Sequence, residues 1–185
     1  DRFWLVGSYH LQTWHMRWFA DHAPASGVSI RNLSDDWLGF VVSGPRSREV
    51  LARLTPDDVS NAGFKFLTCR EMDIGLQRAV VGRLAVTGDL GYEITVPASG
   101  HRALYAALHA AGRDLGLIDI GVRALDCLRL EKGWGAWGAE YAQSYTPGMA
   151  GLDKHIAFEE YVDPRFAEGA KIQTAWKFDA HGLVE

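Results

Sequence analysis

The sequence predicts an α+β fold, with antiparallel sheets and helices segregated along the chain. Apolar segments of strand length follow one another between 64 and 97 with turn residues between them, and two stretches of helical periodicity then occupy 101–132. The chain has 185 residues, 48% hydrophobic and 23% charged, enough apolar material for the core of one domain or slightly more.

Residues 2–7 predict a short buried strand. From Tyr9 to Asp21, Leu11, Trp14, Trp18 and Phe19 recur at i, i+3, i+7 and i+8, which predicts an amphipathic helix with His15 on the same inward face. After a loop with Pro24 and Gly27, strands are expected near 28–32 and 37–43. Pro45 suits the first turn of a helix over Pro45 to Leu54, with Val50, Leu51 and Leu54 buried. Strands are expected at 64–67, 70–74, 79–87 and 92–96, separated by Gly75 and by Asp89-Leu90-Gly91. The helix His101 to Leu115 should bury Leu104, Leu108 and Ala111, and the helix Gly121 to Lys132 should bury Val122, Leu125 and Leu128. The segment from Gly133 to Leu152 is rich in glycine and aromatics, and a loop of that length inside a domain is usually functional.

A net charge of −4 gives no general attraction to nucleic acid or an anionic membrane, so neither is expected as a partner. Cys69 and Cys127 are far apart and form no Cys-x-x-Cys, so no disulfide framework or zinc site is expected, and two isolated thiols fit a reducing compartment. No run of about 18 apolar residues and no signal peptide is present, which predicts a cytoplasmic protein. The chain opens without Met directly on Phe3-Trp4-Leu5-Val6, as though entering a strand in mid-fold, and a fragment is expected.

Gly133-Trp134-Gly135-Ala136-Trp137-Gly138 matches the G-x-G-x-x-G dinucleotide pattern, but a helix precedes it where a strand is required, so no nicotinamide dinucleotide is expected there. The histidine pairs 10/15 and 101/109 lack the companion Glu and third ligand of a helical zinc site, and no metal is expected. Neither a Gly-x-Ser-x-Gly elbow nor a phosphate-binding loop occurs.

Three segments occur in a fixed order: Gly44-Pro45-Arg46-Ser47-Arg48-Glu49-Val50-Leu51, Thr87-Gly88-Asp89-Leu90-Gly91-Tyr92-Glu93-Ile94, and Arg123 through Leu128-Arg129-Leu130-Glu131-Lys132-Gly133. Tyr145-Thr146-Pro147 and Gly151-Leu152 follow. Together they resemble the folate-binding aminomethyltransferase family, which includes the glycine-cleavage aminomethyltransferase and the folate halves of dimethylglycine and sarcosine dehydrogenases. The resemblance covers residues 2 to about 158. It implies a folate-binding domain over 1–158, lacking the family's N-terminal segment, and at 159–185 the start of a C-terminal barrel-like domain or a tail.

The resemblance also implies a site for tetrahydrofolate. Glu93 matches the Glu that grips the pterin, and a carboxylate accepts two parallel hydrogen bonds from an amine and a ring N–H side by side. Arg129 matches an Arg of the folate site, although Asp126 one turn earlier is an equally good partner for it, and Arg123 is the less favoured alternative. Tyr92, Trp134, Trp137 and Tyr145 are candidate walls for the flat ligand, with a core role as the alternative for each and a lid role also open to Trp137 and Tyr145. His15 stands where many members carry an aspartate near the reactive folate nitrogens. It is the candidate catalytic residue, with a packed ring between tryptophans as the alternative.

The function implied is tetrahydrofolate-dependent transfer of a methyl or methylene unit from a small amine, ether or sulfonium donor. The alternatives are a non-catalytic folate-binding module, or a folate-binding accessory part working with an amine oxidoreductase subunit.

Overall fold

The computed structural model describes residues 3–142 and 144–152. The apolar runs expected at 156–158 and 174–178, and the proposed division at 158/159, lie outside the described residues.

A four-stranded antiparallel sheet organises the fold. Its strands are β1 (Trp37–Ser43), β2 (Cys69–Ile74), β3 (Gln77–Gly82) and β4 (Gly91–Pro97), in the order β1-β4-β3-β2. Side chains alternate across a strand, so the register divides the sheet into two chemically different faces. One face carries Val42, Tyr92, Ile94, Val96, Ala79, Val81, Met72 and Ile74, all buried. It packs into one core with Val50 and Leu51 of α2 (Ser47–Ala52) and Leu104 and Leu108 of α3 (His101–Gly112). The other face carries the row Val41, Glu93, Gly82 and Cys69, paired in that order across all four strands.

The helices expected at 45–54, 101–115 and 121–132 are present, the last as α4 (Val122–Glu131). Three expected strands are absent. Residues 3–7 and 28–32 carry no strand, and 64–67 is a turn in which Phe64 plugs the core while Leu67 donates from its backbone N–H to the Arg83 carbonyl. The strand expected at 79–87 ends at Gly82, because the chain then folds back over the start of β4. A Cβ on Gly91 would lie 2.5 Å from Ala85 Cβ and 2.8 Å from Ser43 Oγ, so only glycine allows this crossing.

Two inward faces need correction. Helix α1 (Gln12–His22) forms behind a 3-10 turn at Tyr9–Leu11, but it buries no residue, and Trp14 remains 62% exposed. Polar contacts hold this region instead, Asn32 donating to Gln12 at 3.0 Å and the Tyr9 hydroxyl to Asp35 at 3.1 Å. In α4, Leu125 and Leu128 are half-buried, Val122 is exposed, and the one buried residue is Arg129.

Candidate functional site

The three ordered segments converge on one turn, Thr87–Gly91. From the first, Gly44 N–H donates to the Leu90 carbonyl at 2.8 Å and the Ser47 hydroxyl to the same oxygen at 3.1 Å. From the third, Lys132 Nζ meets Asp89 Oδ1 at 2.8 Å. This turn leads directly into β4, and β4 carries Glu93.

Glu93 stands on the face opposite the core, half-buried, and accepts no hydrogen bond among the described residues. Burial pushes its carboxyl above the usual range, as expected for a charge removed from water with no partner. Cys69 lies close enough that burial, and then the Glu93 charge, push its thiol up. The Ser43 hydroxyl, on the same face, is buried with no partner among the described residues. A desolvated carboxylate or hydroxyl without such a partner is costly unless a polar group satisfies it.

Tyr92 does not join Glu93. Adjacent residues on a strand face opposite ways, and Tyr92 is 0% exposed in the core, with Arg48 Nε 3.4 Å from its hydroxyl. The expectation that it forms a ligand wall is corrected to a core role.

Arg129 is committed to the protein. Its Nε donates to Asp126 at 3.0 Å, and its Nη1 donates to the Trp134 carbonyl at 3.1 Å and to Glu140 at 2.9 Å. The same oxygen, Glu140 Oε2, also accepts from the Ala136 N–H at 2.9 Å, and these donors hold the carboxyl below the usual range. Asp126 is the local partner visible in the sequence, whereas Glu140, eleven residues away, has no periodic signal that announces it. Arg129 Nη2 has no partner among the described residues. Arg123, on the first turn of α4, is exposed and makes no ion pair among them.

The clasp shapes the aromatic loop. Trp134, Gly135, Glu140, Tyr141, Tyr145 and Met149 are among the residues lining an open cavity of about 570 Å³. The structure therefore brings Trp134 and Tyr145 together, but Glu93 and His15 are not among the lining residues. His15 is half-buried, its ring against the Gly7 backbone and 5.8 Å from Trp14, and is not sandwiched between Trp14 and Trp18. Among the described residues, no group of three or more His, Cys, Asp or Glu is placed to hold a metal, and no helix is long and apolar enough to cross a membrane.

Residues 1–160 match the family described as the GCVT N-terminal domain. The chain belongs to this family. It is 37% identical over 150 residues to mitochondrial dimethylglycine dehydrogenase of Rattus norvegicus, covering 80% of this chain and 18% of that protein. It is 32% identical over 144 residues to the aminomethyltransferase of Caldanaerobacter subterraneus subsp. tengcongensis, covering 78% of this chain and 38% of that one. Among solved structures, heterotetrameric sarcosine oxidase from Corynebacterium sp. U-96 aligns with a TM-score of 0.47 and 17% identity, over 56% of this chain and 51% of that chain. The chain thus spans well under half the length of these curated relatives.

Proposed function

We propose that this GCVT-domain chain binds tetrahydrofolate and supports transfer of a one-carbon unit from a small donor. The observation that carries the proposal is Glu93, a half-buried carboxylate without a partner among the described residues, just past a turn where three family segments meet. In this reading Glu93 accepts two hydrogen bonds from the pterin edge, on the sheet face that also carries the Ser43 hydroxyl. Trp134 supplies an aromatic wall. Arg129 acts chiefly by holding the loop, leaving Nη2 to donate, and Arg123, exposed and without an ion pair among the described residues, is the alternative cation for an anionic tail. Tetrahydrofolate, when bound, supplies the nitrogen that accepts the carbon unit. The protein's contribution is to hold donor and acceptor close and to exclude water.

Calorimetric titration with tetrahydrofolate and its 5-methyl and 5,10-methylene forms tests the proposal. Glu93→Ala should weaken binding by about 30-fold to a few thousandfold, the cost of removing one partner of a buried charge-assisted pair. Unchanged affinity in a folded variant would rule out Glu93 as the anchor.

The second reading is a folate-binding module without catalysis of its own, working with an amine oxidoreductase. It is favoured by His15, whose ring packs on Gly7 away from the loop cavity. If His15 acts as acid or base, His15→Ala should keep folate affinity and slow single-turnover transfer by about 10²–10⁴-fold. If transfer from amine, ether and sulfonium donors is absent in wild type, His15→Ala and His15→Asp alike, while all three bind folate, the binding-module reading stands.

A further inference from the structure

A second open cavity of about 570 Å³ lies against α2 and the loop at 57–60, and it shares no lining residue with the cavity of the aromatic loop. Pro45, Val59 and Leu90 give it apolar wall, and charged side chains of both signs line the remainder. Two of its carboxylates are already engaged. Glu49 receives Arg46 on both oxygens, at 3.1 and 2.9 Å, and Asp58 accepts from the Ser60 N–H at 2.8 Å, a bond that holds its carboxyl below the usual range.

Arg48 and Asp57 differ from these. Arg48 Nη2 donates to the neutral amide oxygen of Asn61 at 2.6 Å and Nε lies 3.4 Å from the Tyr92 hydroxyl, but Nη1 has no partner and the guanidinium pairs with no carboxylate among the described residues. Asp57 is bonded only through its backbone N–H, which donates to Thr55 Oγ1 at 3.3 Å, and its carboxylate has no partner among them. A cation and an anion thus line one cavity without neutralising each other. A ligand with a single charge would be attracted at one wall and repelled at the other, whereas a zwitterion is attracted at both.

We propose that this cavity binds a free amino acid with an apolar side chain, its carboxylate on Arg48 and its ammonium on Asp57. The guanidinium fork suits a carboxylate, and the compact ammonium offers three donors to Asp57. The apolar side chain leaves water against Pro45, Val59 and Leu90, and the volume holds such a molecule entire. Binding here is independent of the folate reading above.

The experiment titrates the 185-residue chain with L-leucine and with three relatives that each lack one part of it. These are 4-methylpentanoate, without the ammonium, 3-methylbutan-1-amine, without the carboxylate, and glycine, without the apolar side chain. Binding is followed by saturation transfer to the ligand protons. Leucine should bind saturably, more tightly than glycine, and about 2–5-fold more tightly than the acid or the amine, the range of an exposed ion pair. Arg48→Gln should erase the preference over the amine and spare that over the acid, and Asp57→Asn should do the reverse. Arg48→Lys, which keeps the charge, should retain both. Absence of saturable leucine binding, equal affinity for leucine and any of the three relatives, or preferences that neither Arg48→Gln nor Asp57→Asn alters overturns the proposal.

Discussion

Glu93 illustrates how a half-buried carboxylate weighs on stability. Its carboxyl is pushed up by burial, so the folded protein holds the proton more tightly than the unfolded chain does. Below the unfolded value both states are protonated and the effect on stability is nil. As pH rises through the raised folded value, the native state must ionise a desolvated group, and stability falls. Glu93→Gln removes that penalty, so its Tm should exceed wild type at neutral pH and converge with it in acid, even as folate affinity drops. A variant less stable at neutral pH would mean that the carboxylate has a structural partner. The turn and strand that carry Glu93 were legible in the sequence, and of the two roles open to Tyr92, wall or core, strand alternation assigns the core by sending neighbours to opposite faces.

At the scale of elements, the helices and the inner strands were legible because their apolar residues repeat with the period of one buried face. The segments at 3–7, 28–32 and 64–67 are apolar without being paired, and composition alone does not distinguish a strand from a loop that plugs a core with one Phe. Helix α1 has the periodicity of a buried face and no face to bury it on among the described residues. Helix α4 depends on a polar clasp that reaches forward into the loop. Arg129→Met removes the bonds to the Trp134 carbonyl and to Glu140, both of which restrain 133–141. Amide hydrogen exchange should therefore accelerate at Gly135 and Ala136 while β3 and β4 keep their protection. Acceleration across the sheet would show instead that the clasp supports the whole fold.

At the scale of the molecule, the sheet order places β1 and β2 at the edges. The two edges are defended unequally. Strand β2 carries Arg70, Glu71 and Asp73, with Arg78 bridging both acids, and such charges discourage a second chain from adding alongside. Strand β1 reads Trp-Leu-Gly-Phe-Val-Val-Ser, with no charge and no proline, and Leu38 and Val41 are exposed. Among the described residues no strand pairs with its outer edge, and a strand of this composition with an open row of backbone donors and acceptors is a template for intermolecular pairing, which leads to turbidity and, on long incubation, to fibrils. The weakness of this chain is therefore colloidal: concentrated samples should scatter light increasingly with time well below the Tm. Leu38→Lys puts a charge on the edge outside the buried core and should suppress that scattering with little change in melting, whereas scattering that persists would direct attention to the exposed tryptophans of α1.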